Sequence, residues 1–282
     1  MSFVCHAQHY LGVGATMDIP LALDKLAFTN MTISGGGEIN GVYAYQYKHF
    51  TVQTGVDIGM QCPRLRLKDE SLEQAMVDTR GVPFIYRGSL VSRVDMSRQF
   101  GIGVPLMLGY AGEYVYAIAG ARYYNILYAQ TYSTAKLQTI GDYDGRYYDP
   151  FEDMPEHGYH TYEPVKSKGS IKFKHDVQAC AEIGGIIPLD GSYSSRYNSN
   201  VLRLSVWAAY SLLSITPSNT SDKHLTEVDY SQYMQVELTH PYNAIEGKDS
   251  NGHNLCIGIR ATFLFGIADS SHSRKACRCL NN

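Results

Sequence analysis

The sequence has no run of about eighteen apolar residues, so no part of it can cross a bilayer as a helix. Charge is scarce: Asp, Glu, Lys and Arg make up 18% of the 282 residues, and the net charge is −3. With no extended basic tract, nucleic acid is excluded as a partner. No G-x-S-x-G, H-E-x-x-H or phosphate-cradling glycine loop occurs, which removes the usual hydrolase, zinc-protease and nucleotide-binding signatures. No segment repeats at a fixed period and no low-complexity linker divides the chain, so one domain is expected. The cysteines Cys5, Cys62, Cys180, Cys256, Cys277 and Cys279 are scattered, and the lone C-x-C at Cys277 and Cys279 is a weak zinc signal without a second pair. Cys180 and Cys256 read as small packing residues inside strands. No catalytic, cofactor-binding or metal-binding residue is assigned.

What the chain does have is alternation. From Phe50 the even positions read Phe50, Val52, Thr54, Val56, Ile58 and Met60, against Thr51, Gln53, Gly55, Asp57, Gly59 and Gln61. A strand sends alternate side chains to opposite faces, so one face here is greasy and the other polar. About ten such residues match one crossing of a bilayer by a tilted strand. Tyr dominates the aromatics, with 23 against 9 Phe and a single Trp, and its apolar ring with a polar tip suits a boundary between grease and water.

Eight alternating segments are predicted, at about 10–18, 32–48, 50–61, 91–110, 113–130, 171–184, 202–212 and 255–265. Tyr43, Tyr45 and Tyr47 end one of them as an aromatic girdle would. In the fifth, Arg122 is placed inside and the alanines outside; in the sixth, Ile171, Phe173, His175 and Val177 share the outward face. Pro105 lacks a ladder donor, which argues against a central strand of a soluble sheet. The connections are short or medium at 48–49, 111–112 and 190–200, and long at about 19–31, 67–90, 131–170 and 216–253. They alternate along the chain, as the periplasmic turns and extracellular loops of a bacterial membrane barrel do. The segment from Glu227 to Leu238 alternates enough to pair as a hairpin above the membrane. The expected fold is all-β: a closed, antiparallel, up-and-down transmembrane β-barrel of eight strands with long extracellular loops.

Several of these segments resemble the Bacteroidetes-type outer-membrane β-barrel family, porin-like in name. They are Ser34-Gly35-Gly36-Gly37 through Phe50, Gln53-Thr54-Gly55-Val56, Gly103 through Tyr110, Ala117 through Arg122, and Ile257 through Phe265. The resemblance covers the strands and not the long loops. It implies an exported protein in the outer membrane of a Gram-negative bacterium, surrounded by outer-membrane lipid and inserted by the barrel-insertion machinery. Cys5 and Ala7 stand as small residues at −3 and −1 of a cut before Gln8, like the tail of a secretory signal. Residues 1–7 are thus expected to be a signal remnant, 8–268 the barrel and 269–282 a C-terminal tail.

The predicted inward charges are Glu38, Lys48, Asp57, Asp95, Arg122, Asp176, Glu182, Arg203 and Arg260. They read either as a solute path or as paired charges that plug the lumen, and pairing is what burial demands. The 131–170 loop interleaves Tyr143, Tyr147, Tyr148, Phe151, Tyr159 and Tyr162 with carboxylates, which suggests contact with a surface macromolecule or glycan. Its Asp142-Tyr143-Asp144-Gly145 fragment lacks the rest of a calcium loop. His175 and Ser214 are expected to face each other across neighbouring strands at the outer rim, with no acid to orient them. The leading function is a non-enzymatic structural or surface-interaction role. A narrow porin-like channel and a lipid-modifying enzyme are the alternatives.

Overall fold

The computed structural model describes residues 7–23, 29–67, 71–78, 80–143, 150–152, 154, 159, 164–189, 200–217, 222–229, 235–245 and 252–267. Its strands are β1 (Ala7–Leu23), β2 (Thr29–Thr32), β3 (Gly36–Tyr47), β4 (Phe50–Gln61), β5 (Arg64–Leu67), β6 (Ser71–Val77), β7 (Pro83–Ala111), β8 (Val115–Asp142), β9 (Val165–Ser170), β10 (Asp176–Pro188), β11 (Val201–Ser211), β12 (Thr226–Asp229), β13 (Gln235–Leu238) and β14 (His253–Ile267). Eight of them form an antiparallel ring in chain order, β1-β3-β4-β7-β8-β10-β11-β14, and β14 pairs back onto β1. No ring strand is left with an open edge along its paired length, which satisfies the backbone groups without help from neighbours.

Side chains sort across the ring by parity. Val56 is 45% exposed on the outside beside Asp57 at 1% inside, and Ile259 is 67% exposed beside Arg260 at 1%. Val104, Leu106, Leu108, Met17 and Ile39 also point outward, and Gln53 and Glu182 point inward, as the alternation predicts. Arg122 is buried, and Ala117, Ala119 and Ala121 are exposed. A soluble barrel would show the reverse pattern.

The ring has two unlike ends. Two-residue and three-residue gaps join β3 to β4 and β7 to β8, whereas β1–β3, β4–β7, β8–β10 and β11–β14 are joined by long segments that carry β2, β5, β6, β9, β12 and β13. Aromatic and His side chains mark both rims. At the short-turn rim His9 shares a hydrogen bond of 2.8 Å with the Tyr43 hydroxyl, and His49 stacks on Tyr110. At the other, His175 lies against Tyr123 and His253 stacks on Tyr210.

The structure corrects the sequence reading in several places. Lys48 does not point into the ring: it occupies the tight β3–β4 turn with φ of 56° and reaches back over the Tyr47 ring. β7 starts at Pro83 and β8 ends at Asp142, so much of the expected 67–90 and 131–170 loops is strand. Bulges make this extension possible. The β7–β8 register shifts between Leu90 and Ser92, and again between Phe100 and Gly101. The second shift leaves Leu127 and Tyr128 both exposed, and the inward parity of β8 moves from even to odd residues. β10 begins only at Asp176, and Ile171 and Phe173 are buried rather than outward. Their alternation with Lys172 and Lys174 reflects packing under the long connections.

Pro105 sits inside β7, as expected of the 91–110 segment, opposite a gap in the β4–β7 ladder, where the Thr54 hydroxyl donates to its carbonyl at 2.8 Å. The expected Glu227–Leu238 hairpin forms between β12 and β13. Residues 1–6 and 268–282, and with them Cys277, Cys279 and all of the expected signal remnant but Ala7, which opens β1, lie outside the described residues.

Candidate functional site

The interior is built in three layers. At the short-turn end Tyr10, Val42, Ala44, Met107, Ala111, Ile118, Ile186, Val201 and Leu264 form an apolar cluster. At the opposite end Ala22, Leu65, Tyr124, Ile126, Ala129, Ile171, Phe173, Ile215 and Tyr242 form another. Between them lies a charged layer to which seven ring strands contribute. Arg122 on β8 donates from Nη1 to Glu38 at 2.7 Å and to Asp57 at 3.3 Å, and from Nε to Gln178 at 2.8 Å. Arg260 on β14 donates to Glu182 at 3.1 Å and to the Thr16 hydroxyl at 2.8 Å. Thr16 donates to Asn40, which donates to Asp57, closing the two halves into one network. The hydroxyls of Tyr116 and Ser205 both donate to Glu182.

Trp207, fully buried on β11, lies between the two guanidinium groups, with Arg260 at 3.8 Å and Arg122 at 5.3 Å from its ring. Arg203 lies 4.6 Å from the Tyr116 ring and donates to Gln53. Such stacking stabilises a cation that has left water. Glycine makes room for the layer: a Cβ on Gly103 of β7 would stand 3.0 Å from Arg122 Cδ and 3.1 Å from Tyr124 Cδ2. Of the nine predicted inward charges, all but Lys48 are buried. Asp176 accepts from Ser211 and Gln178 at the upper edge of the layer.

Asp95 belongs elsewhere. It lies above the second apolar cluster, paired with the buried Arg93 at 2.9 Å. Arg93 also donates to the Leu225 carbonyl at 2.8 Å, to Thr226 Oγ1 and to the Thr239 carbonyl. One guanidinium thus fastens both ends of the β12–β13 hairpin to β7. These contacts span more than a hundred residues of sequence, and no local pattern announces them.

His240 follows that hairpin, buried, and accepts a hydrogen bond at Nδ1 from the Tyr242 amide at 3.3 Å. Burial pushes its pKa down to about 4; Asp95 opposes the shift and Arg93 assists it. The unfolded ring binds a proton near pH 6.5, so the neutral ring's contribution is full above that pH and is lost as pH falls towards 4. We expect the amide protection factors over residues 236–244, corrected for the intrinsic slowing of exchange with falling pH, to drop on the order of tenfold between pH 7.5 and pH 5. His240→Gln should flatten that dependence; an unchanged slope in the variant would show that another group titrates.

The described residues of the 131–170 segment are packed rather than splayed. Tyr159 is buried among Met76, Phe84, Tyr86, Ala135, Leu137, Val236 and Leu238, with Tyr143, Phe151 and Met154 against them. Three of the six aromatics expected at a contact surface therefore belong to a second core, while Tyr147, Tyr148 and Tyr162 lie outside the described residues. Asp142 is paired with Arg87 at 2.7 Å, and 144–149 of the acidic fragment lie outside the described residues. The ladder does bring His175 opposite Ser214, since the flanking Lys174 amide donates to the Ile215 carbonyl. Ser214 donates to Thr216 at 3.2 Å, however, and the His175 ring lies beside Tyr123.

No family model matches the sequence, and no curated protein matches it. Among solved structures it is similar to Ail, the attachment invasion locus protein of Yersinia pestis, crystallised with the heparin analogue sucrose octasulfate. The identity is 10% and the TM-score 0.24, over 90% of this chain and 98% of that one.

Proposed function

We propose that the ring is a closed transmembrane β-barrel of a bacterial outer membrane, exported and inserted by the barrel-insertion machinery, with residues 8–268 as its one domain. The observation that carries this is the inversion of faces: aliphatic side chains ring the outside, and Glu38, Asp57, Arg122, Glu182 and Arg260 are paired inside. Only a hydrocarbon surround rewards that arrangement. The role is non-enzymatic, structural or surface-interacting. A surface macromolecule or glycan reached through the 131–170 connection belongs to the same reading; binding that survived removal of 144–149 would move that contact elsewhere.

The lumen is closed to solutes in this reading. Eight strands leave an interior that side chains just fill, and here two apolar layers bracket a charged one. Purified protein is expected to run as a heat-modifiable band on a denaturing gel and, in a planar bilayer, to show no stable ohmic channel. Steady conductance whose ion preference reversed with Arg260→Glu would favour the narrow channel instead.

A further inference from the structure

The outward face of the sheet just beyond the long-connection rim carries a row of cations. Phe100 and Tyr128, paired across β7 and β8, are the last large outward aromatics of the apolar band on these strands. One outward position higher on β7 stands Arg98. The next row reads Arg64 on β5, Met96 on β7, Tyr132 on β8 and Lys168 on β9, each paired with its neighbour. Above it come Arg66, Val94, Thr134 and Lys166, and then Lys136. Alternation puts all of these on one face, because Leu65, Leu67, Asp95, Ser133 and Ala135 between them are buried.

Six cations thus share the outer face of four strands. None of the six makes an ion pair among the described residues, and the described residues of these rows include no carboxylate on this face. The nearest acids on the sheet, Glu73 and Asp142, are taken by Arg87 farther up. Arg98 and Lys168 converge instead on one ring, with the guanidinium 4.8 Å and the ammonium 5.7 Å from the Tyr132 centroid. Two like charges on one aromatic, without an anion, repel each other at every ionic strength that leaves them unscreened.

Height decides what supplies the missing anion. Each outward step rises about 6.8 Å along a strand, or roughly 5 Å along the barrel axis at the usual tilt. Arg98 therefore stands about 5 Å above the upper edge of the apolar band, at the depth of lipid headgroups, and the other cations, at about 10 to 20 Å, stand where only a headgroup larger than a phospholipid's reaches. Val94 and Met96, interleaved with them, keep the face part apolar. Arg and Lys at such a boundary lay their stems on grease and offer their heads to phosphate, for which Arg forms a fork.

We propose that this face of β5, β7, β8 and β9 binds the phosphate groups of an outer-leaflet glycolipid headgroup, with Arg98, Lys168 and Arg64 around Tyr132 as its centre. The proposal rests on the membrane reading above. Its test uses the full chain in phosphatidylcholine nanodiscs, alone or doped with diphosphoryl lipid A, with dephosphorylated lipid A as the paired control. The temperature at which the heat-modifiable form is lost should rise only with the phosphorylated lipid. The double variant Arg98→Glu/Lys168→Glu should weaken that response about tenfold or more, the worth of one charge-assisted hydrogen bond. Arg98→Gln/Lys168→Gln serves if the reversal does not fold, with Trp207 fluorescence reporting the interior.

Equal protection by the dephosphorylated lipid, or an undiminished response in both variants, would overturn the proposal. So would protection by inorganic phosphate alone, or tight heparin binding without a lipid response, which would assign the face to a soluble polyanion. A protein that never enters the nanodisc would sink the membrane reading itself, a result distinct from insertion without a phosphate response.

Discussion

Replacing Arg122 with Met should cost the folded barrel about 3–5 kcal/mol, the largest loss expected from any single substitution in the interior. Arg122 is fully buried and holds two carboxylates, Glu38 at 2.7 Å and Asp57 at 3.3 Å. Methionine fills much of the volume but leaves both acids charged and short of a partner in a site without bulk water. Breaking a buried pair is costly for that reason, even where the intact pair contributes little over an apolar replacement. Arg122→Lys should lie between, because an ammonium keeps the charge but has no fork to reach Glu38, Asp57 and Gln178 together. Adding Glu38→Gln to Arg122→Met should recover part of the loss by removing one orphaned charge, a coupling that a double-mutant cycle reads directly. The sole tryptophan, Trp207, sits against Arg122 and is the natural probe for denaturant unfolding in lipid vesicles. A loss below about 0.5 kcal/mol, the usual scale of surface changes, would show that the network is not held as described.

The network was legible in part before the structure. Parity alone places Glu38, Asp57, Arg122, Glu182 and Arg260 on the inner face, because each sits one residue out of step with an aliphatic run. Pairing was not legible. Arg122 meets Glu38 across 84 residues of sequence, and which acid faces which base depends on the stagger of the ring. Parity put Trp207 on the inner face with Arg203 and Ser205, where it is buried, but its place against two guanidinium groups was no more legible than the pairing itself.

The ends of the strands were the least readable feature. β7 and β8 alternate as regularly above the apolar band as within it, so periodicity does not show where lipid would stop. The bulge at Leu127 resets parity, and a reading with fixed parity fails there. Ile171 and Phe173 show the converse case, where an alternating pattern marks residues buried under a cap. What does change at the rim is the polar partner on the outer face, from Gly, Ala and aliphatic residues to Arg98, Tyr132 and Lys168. That substitution of cations for grease, two residues at a time, is a usable signal for the edge of a bilayer.

Grease on the outer face makes the second large prediction. Val56 lies outward on β4 between Thr54 and Ile58, at mid-height of the ring, and is 45% exposed. In water an exposed Val→Arg change is nearly neutral, because surface positions tolerate charge. In a bilayer the same change puts a guanidinium near the midplane, where barrels lose roughly 2–4 kcal/mol. Gln138→Arg is the matched control, since Gln138 is exposed on β8 well above the apolar band and should change stability by less than about 0.5 kcal/mol. Depth, not exposure, is the variable, and Leu108→Arg nearer the short-turn rim should fall between the two as snorkelling shortens the path to water. Refolding into vesicles, followed by Trp207 fluorescence and by the heat-modifiable band, supplies all three values. If Val56→Arg costs no more than Gln138→Arg, the outer face meets water rather than lipid and the barrel is not a membrane protein.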